Sequence, residues 1–251
     1  MKYSKTSGLT GSHLKWIAII TMFLDHIGAA LLEIGLLPQI ANAVLAGNAF
    51  NFLPTDYHTW YNLDLVLRYI GRLAFPLFCF LLIEGFLHTK NVKKYMLRLG
   101  LFALISEVPF DLTFNNSVLE LTSQNVFFTL FIGLAVLCGL QYFEETLPPH
   151  LAPLRYLLAI IGMMAAYFLQ TDYDAFGVLL IVLLYELRNS RKWQCITGAI
   201  VTFFNSYTAP LAFLFIWFYN GERGKQLPKY FFYAFYPLHL LVLAGLRILI
   251  L

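Results

Sequence analysis

Nine ionisable side chains sit inside long apolar stretches of this 251-residue chain: Asp25, His26, Arg68, Arg72, Glu84, Arg98, Glu107, Asp111 and His239. Charges at membrane depth are costly and mark functional sites by default. Their types suit proton-transfer chemistry. A neutral histidine takes a proton from an amine or hydroxyl. A carboxylate fixes its tautomer and stabilises the imidazolium that forms. An arginine stabilises an oxyanion or grips a phosphate. Asp25 adjoins His26, about 100° round a helix, so Glu107 or Asp111 from a neighbouring helix is an alternative partner for the ring. Arg68/Arg72 and Glu107/Asp111 are both spaced i,i+4, which stacks two like charges on one helix face. Two arginines facing two carboxylates on the next helix would neutralise each other. Such a network also suits polar glue between helices. From the residues alone, acyl transfer inside the membrane and proton-coupled transport fit equally.

The elements that must position these residues follow from composition. The chain is 59% hydrophobic and 12% charged, with a mean hydropathy of +0.69. A soluble domain needs more surface charge, and the apolar runs do not alternate as barrel strands would. The expected fold is therefore all-α: one polytopic helical membrane domain over residues 1–251, with kinked helices around a polar cavity. A span needs roughly 20 apolar residues. Candidate spans are 14–34, 64–87, 95–113, 125–143, 151–169, 173–187, 193–207, 209–220 and 230–250, about nine, with the seventh and eighth readable as a broken pair around Pro210. The N-terminal run is long for a signal peptide and lacks a small-residue cleavage site, so it is expected to be retained.

Charge placement tests this parsing. With the N-terminus cytoplasmic, one side holds Lys2, Lys5, Lys15, Lys90, Lys93, Lys94, Arg98, Arg155, Arg188, Arg191, Lys192, Arg223, Lys225 and Lys229, 14 of the 17 lysines and arginines. The other side's loops, 35–63, 114–124, 170–172 and the turn near Tyr207, hold none; Arg68, Arg72 and Arg247 lie inside spans. Nine spans would put the C-terminus outside. The first outer loop, with Asn48, Asn51, Pro54, Asp56 and His58, is long enough to cover the outer mouth. Span directions place Asp25, His26, Arg68, Arg72, Glu107 and Asp111 at one level, from mid-bilayer outward, and Glu84 near the cytoplasm. Pro76, Pro109 and Pro237 neighbour these residues, and a proline in a helix interior frees a carbonyl and kinks the helix. Lys94, Arg98, Arg188 and their basic neighbours read first as topology signals and second as a hold for a phosphorylated cytosolic ligand. Cys79, Cys138 and Cys195 form no metal or disulfide pattern and read as buried thiols. No P-loop, GxSxG, HExxH or dinucleotide fingerprint is present, so no metal and no nucleotide-driven pump are expected.

The segment "RYIGRLAFPLFCFLLIEGFLHTKNVKKYMLRLGLFALISEVPFDL" (68–112) resembles the TraX family, known for N-terminal acetylation of conjugative pilin. The blocks "LKWIAIITMFLDHIG" (14–28), "QNVFFTLFIGL" (124–134), "DYDAFGVLLIVLLYELR" (172–188) and "FYPLHLL" (235–241) are similar in the same order. The resemblance implies an acetyltransferase of the bacterial inner membrane. Its co-substrate would be cytosolic acetyl-CoA, and its acceptor a pilin-like protein N-terminus or a glycan amine or hydroxyl on the outer side. Its partners would then be acyl-CoA, the acceptor and membrane lipids, with no nucleic acid. On this reading His26 is the base or transient acyl carrier, with Asp25, Glu107 or Asp111 orienting it and Arg72 stabilising the thioester oxygen. Arg68, Glu84, Arg98, Asn125, Lys94, Arg188, Tyr236 and His239 would bind substrate or acyl-CoA. A proton-coupled transporter and a non-catalytic assembly scaffold are the other readings.

Overall fold

A computed structural model describes residues 8–45, 54–225 and 228–250. Among these the fold is all-α, with only two isolated bridges, Leu9 to Tyr219 and Gln124 to Thr171. Helix starts carry the side chains that free backbone N–H groups require. Thr10 caps α1 (Gly11–Ile27), its hydroxyl accepting from His13 N–H while His13 Nδ1 accepts from Thr10 N–H. Asn91 caps α5 (Val92–Phe114), and Asn125 caps α6 (Val126–Thr146).

α1 does not stop at Ile27. It runs through a π-helical stretch, Gly28–Leu36, into α2 (Leu37–Leu45). π-helical turns are rare and favour functional sites. The next helix is broken: α3 (Pro54–Gly71) and α4 (Ala74–His88) meet at Arg72 and Leu73. Pro76 supplies the reason, because it has no N–H for the Arg72 carbonyl. Pro109 and Pro237 by contrast lie inside continuous helices, α5 and α11 (Lys229–Ile250). Between them run α7 (Tyr156–Phe168), α8 (Asp174–Glu186), α9 (Arg191–Phe203) and α10 (Ala212–Trp217).

Among the described residues, five helical stretches are long and apolar enough to cross a membrane: Gly11–Ala43, Tyr57–His88, Val126–Thr146, Pro149–Phe168 and Tyr230–Leu249. α5 has the length, with 23 residues. α8 and α9 have 13 residues each, about 20 Å of rise against about 30 Å of hydrocarbon. α9 and α10 are the broken pair expected around Pro210. The expected outer loop 35–63 is largely helix instead, because the apolar run of α1 continues to Leu45 and α3 begins at Pro54. Asn48 and Asn51 of that loop, and Lys2 and Lys5, lie outside the described residues.

The core sits between α4, α6 and α8, where Leu77, Phe80, Ile83, Leu134, Leu137, Ile181 and Leu184 are fully buried. α3 packs on α1, α2 and the π-helical stretch, while α5 packs on α6 and α11. One end of the bundle carries the basic segments. There Arg223 donates to the His88 carbonyl at 3.0 Å, and Leu9, Gly11 and Ser12 hydrogen-bond to residues 218–223. The other end carries residues 115–125 and 170–173. At that end Arg247 of α11 donates to the Thr113 and Leu112 carbonyls and to Asn116. A cation on the last carbonyls of α5 complements the helix dipole. Arg247→Met should lower stability by about 2 kcal/mol, read as a drop in the thermal unfolding midpoint in detergent.

Candidate active site

A cavity of about 290 Å³ opens near the middle of the bundle. Asp25, His26, Ala29 and Glu33 come to it from α1 and the π-helical stretch, and Arg68, Gly71 and Arg72 from the end of α3. Phe75 and Phe78 come from α4, Phe114 from α5, Val126 from α6, Asp172 and Tyr173 from the loop before α8, and Tyr236 from α11. Met22 and Phe75 at its inner wall are 8% and 2% exposed, whereas the Glu33 side chain is 55% exposed. The cavity therefore opens toward the end away from the basic segments.

The two arginines are held from outside α5. Arg68 Nη1 donates to Asp25 Oδ2 at 2.7 Å, and its Nε lies 3.3 Å from Glu33 Oε2. Asp25 and Glu33 are eight residues apart, about two helical turns, so one arginine reaches both. Gly71 makes room for this pair, since a Cβ there would overlap the Asp25 side chain. Gly28 does the same for Asp64, whose Oδ1 would lie 2.8 Å from an added Cβ. Arg72, at the helix break, bonds to the Tyr173 hydroxyl and faces Asp172 and Asp25. Tyr173 stacks on Phe75, with ring centroids 3.6 Å apart and planes within 5°.

Tyr173 and Asp172 are held by a strained loop. Gln170, Tyr173 and Asp174 have φ of 51°, 64° and 48°, a left-handed region that costs non-glycine residues roughly 1–3 kcal/mol each. Gln124 pins the loop by accepting from Asp172 N–H at 2.8 Å and donating its own N–H to Gln170 O at 3.0 Å. Thr129 adds bonds to Thr171 and to the Asp172 carbonyl. Asp172 opens to the cavity, but protein encloses it, and this desolvation, reinforced by the Asp25 charge, pushes its carboxyl up to about 6.

His26 has a histidine for a partner. Its Nδ1 lies 2.6 Å from His239 Nε2, and the rings are within 1° of parallel with centroids 4.9 Å apart. That separation is the N···N distance plus the two ring radii, so the rings meet edge to edge in one plane. His239 Nδ1 lies 2.7 Å from the Phe235 carbonyl. A carbonyl only accepts, so His239 Nδ1 carries a proton and its Nε2 a lone pair. His26 Nδ1 must then donate, which leaves His26 Nε2 bare. Among the described residues that nitrogen has no hydrogen-bond partner, and its ring lines the cavity.

The structure thus gathers Asp25, His26, Arg68, Arg72 and Tyr236 at the cavity, with His239 directly behind His26. Glu107, Asp111 and Asn125 lie elsewhere. Glu107 accepts from Asn125, whose amide also donates to the Ala103 carbonyl at 2.8 Å. Asp111 accepts from Asn115 at 3.0 Å and from Glu120 N–H at 2.8 Å. The expected facing of Arg68/Arg72 onto Glu107/Asp111 does not occur, because α3 packs on α1 and its π-helical continuation rather than on α5. The carboxylate expected to orient His26 is replaced by His239.

Glu84, Lys94, Arg98 and Arg188 lie at or toward the basic end. Glu84 accepts from the Tyr219 hydroxyl at 3.1 Å, and Arg98 bonds to the Tyr233 hydroxyl. Arg188 is bonded to Glu144 at 3.2 Å and stacks over Tyr185 at 4.0 Å. Lys94 is exposed. All three cysteines are free, Cys79 and Cys195 buried and Cys138 partly so.

Reasoning from sequence missed Glu33, Asp64, Asp172 and Tyr173. Glu33 and Asp64 carried a signal in their spacing, eight residues after Asp25 and four before Arg68. Asp172 and Tyr173 sit in a turn, which carries no periodicity. The site's dependence on close approach predicts a clear effect at Gly71. Gly71→Ala should cost about 1–3 kcal/mol by driving Asp25 off Arg68, whereas Gly245→Ala, with nothing near its added Cβ, should stay within about 0.5 kcal/mol. Thermal unfolding of both variants checks this.

A relative from Dichelobacter nodosus, "Probable fimbrial assembly protein FimC, serogroup H1", is 28% identical over 267 residues, covering 97% of this chain and 98% of its own. No solved structure is similar to this chain at a significant level. The TraX protein family model matches residues 10–247, which takes in every helix that lines the cavity, and the chain is a membrane protein of the TraX family.

Proposed function

We propose that this protein is an acyltransferase that moves an acetyl group from cytosolic acetyl-CoA to an amine presented at the outer face of the inner membrane. The amine would be the N-terminus of a pilus or fimbrial subunit. One observation carries the reading: the His26 ring, its Nδ1 engaged by His239, lines a cavity shared with two arginines and two tyrosines. Nε2 removes the proton from the attacking nitrogen as it bonds to the thioester carbonyl carbon. Arg72 and Tyr173 are the donors suited to the developing oxyanion. The C–S bond then breaks, and the thiolate takes the proton from His26.

Size and charge support the same reading. A cavity of about 290 Å³ is at the lower limit of small-molecule pockets, roughly 300–1,000 Å³. It suits an acyl-thioester end and a short acceptor. Asp25, Glu33 and Asp172 outnumber Arg68 and Arg72 around it, which favours an amine that arrives as its ammonium, and sheds one proton to solvent before its nitrogen attacks, over a neutral hydroxyl. The membership of the family and the fimbrial relative support a role in pilus assembly.

Purified protein in nanodiscs, given radiolabelled acetyl-CoA and a pilin-like N-terminal peptide, tests the reading. Wild type should label the peptide. His26→Ala should reduce the rate by at least about 100-fold while keeping the wild-type unfolding midpoint. Transfer at the wild-type rate in His26→Ala would remove His26 from the chemistry.

A further inference from the structure

His239 does not itself line the cavity, yet it backs two residues that do, His26 and Tyr236, and is tightly held. It is 5% exposed. Phe235 stacks on it at 4.9 Å, and Phe23 and Tyr236 meet its ring edge-on at 5.9 and 5.6 Å. Its Nδ1–H is spent on the Phe235 carbonyl one turn back in the same helix, so the ring can neither rotate nor swap nitrogens without losing that bond. A buried N–H without a partner costs about 1–3 kcal/mol. The Tyr236 carbonyl lies beside the same ring as a further acceptor, and the ring's other nitrogen makes the bond that fixes His26.

We propose that His239 is the positioning residue of the site, holding His26 as the Nδ1–H tautomer with Nε2 aimed into the cavity. The proposal rests on the acyl-transfer reading for its kinetic consequence, but not for its geometry. Its chemistry differs from a histidine oriented by a carboxylate. A carboxylate would leave the pair neutral after His26 takes a proton. His239 is neutral, so the protonated pair carries a full positive charge that the bond between the two rings does not offset. That charge is unfavourable to keep. The proton is therefore passed on promptly to the leaving thiolate, and His26 returns to its bare-Nε2 state. The carbonyl of Phe235 cannot take a proton, so the chain of bonds ends there and His239 supplies orientation, not an exit route.

The geometry also selects the substitution that should replace His239. Glutamine places an amide oxygen near the position of the histidine Nε2, where it can accept from His26 Nδ1–H, and alanine places nothing there. His239→Ala should lower kcat by roughly 100-fold with the KM for acetyl-CoA within about twofold of wild type, and His239→Gln should restore at least about tenfold of that loss. A side chain that only packed would give the opposite order, with glutamine no better than alanine.

Nitrogen NMR of protein labelled with ¹⁵N-histidine reads the tautomer without any substrate. Wild type should show His26 protonated on Nδ1 and bare on Nε2, and His239→Ala should lose that preference. Retention of the wild-type tautomer and rate in His239→Ala would overturn the proposal, as would a wild-type His26 protonated on Nε2. If the ring shifts are as expected and wild type transfers no acetyl group, the positioning role stands and the acyl-transfer reading falls.

Discussion

Arg68 joins the two halves of the site. Its guanidinium lies 2.7 Å from Asp25 and 3.3 Å from Glu33, and so ties the end of α3 to the stretch where α1 turns π-helical. Charges this far inside an apolar bundle must be paired. That requirement sets much of the local architecture. Gly71 is needed so that α3 can approach Asp25, and Gly28 so that Asp64 can approach α1. With α1 and α3 locked in this register, His26 faces the cavity and Arg72 reaches the Tyr173 hydroxyl. The break at Arg72, set by Pro76, turns Arg72 away from the continuing helix and toward the loop before α8.

The sequence made several of these features legible. Asp25 and His26 inside an apolar run mark the place where the site is found, because a charge there needs a reason. The i,i+4 spacing of Arg68 and Arg72 and the proline after them mark the helix break. The asymmetry of lysine and arginine matches a bundle with one basic end. Partners across space were not legible. Glu107 and Asp111 have the spacing of a second charged face, and they do share a face, but it turns to α6 and to the loop 115–125. Nothing in their spacing distinguishes that from α3. The helix packed on α3 is the prolonged α1, and its length past Leu36 depends on an apolar run that reads equally well as a loop.

Asp172 and Tyr173 show a different limit. They reach the cavity from a turn whose shape comes from backbone bonds to Gln124 and from three left-handed residues. None of the three is glycine, so no residue type announces the turn. The strain is tolerated because Gln124, Thr129 and the Phe75 ring hold the loop on several sides. His239 was legible as a polar residue after Pro237, and its place directly behind His26 emerges only from the packing of α11 beside α1.

In the proposed reaction, donor and acceptor meet from opposite sides at the cavity that holds His26, Arg68, Arg72, Tyr173 and Tyr236. The most direct test is sided. Proteoliposomes with uniformly oriented protein would carry acetyl-CoA inside, at the basic end, and a pilin-like peptide outside. The account predicts acetylated peptide outside, dependent on acetyl-CoA inside and absent when the donor is added only outside. Acetylation that requires donor and peptide in the same compartment would contradict it.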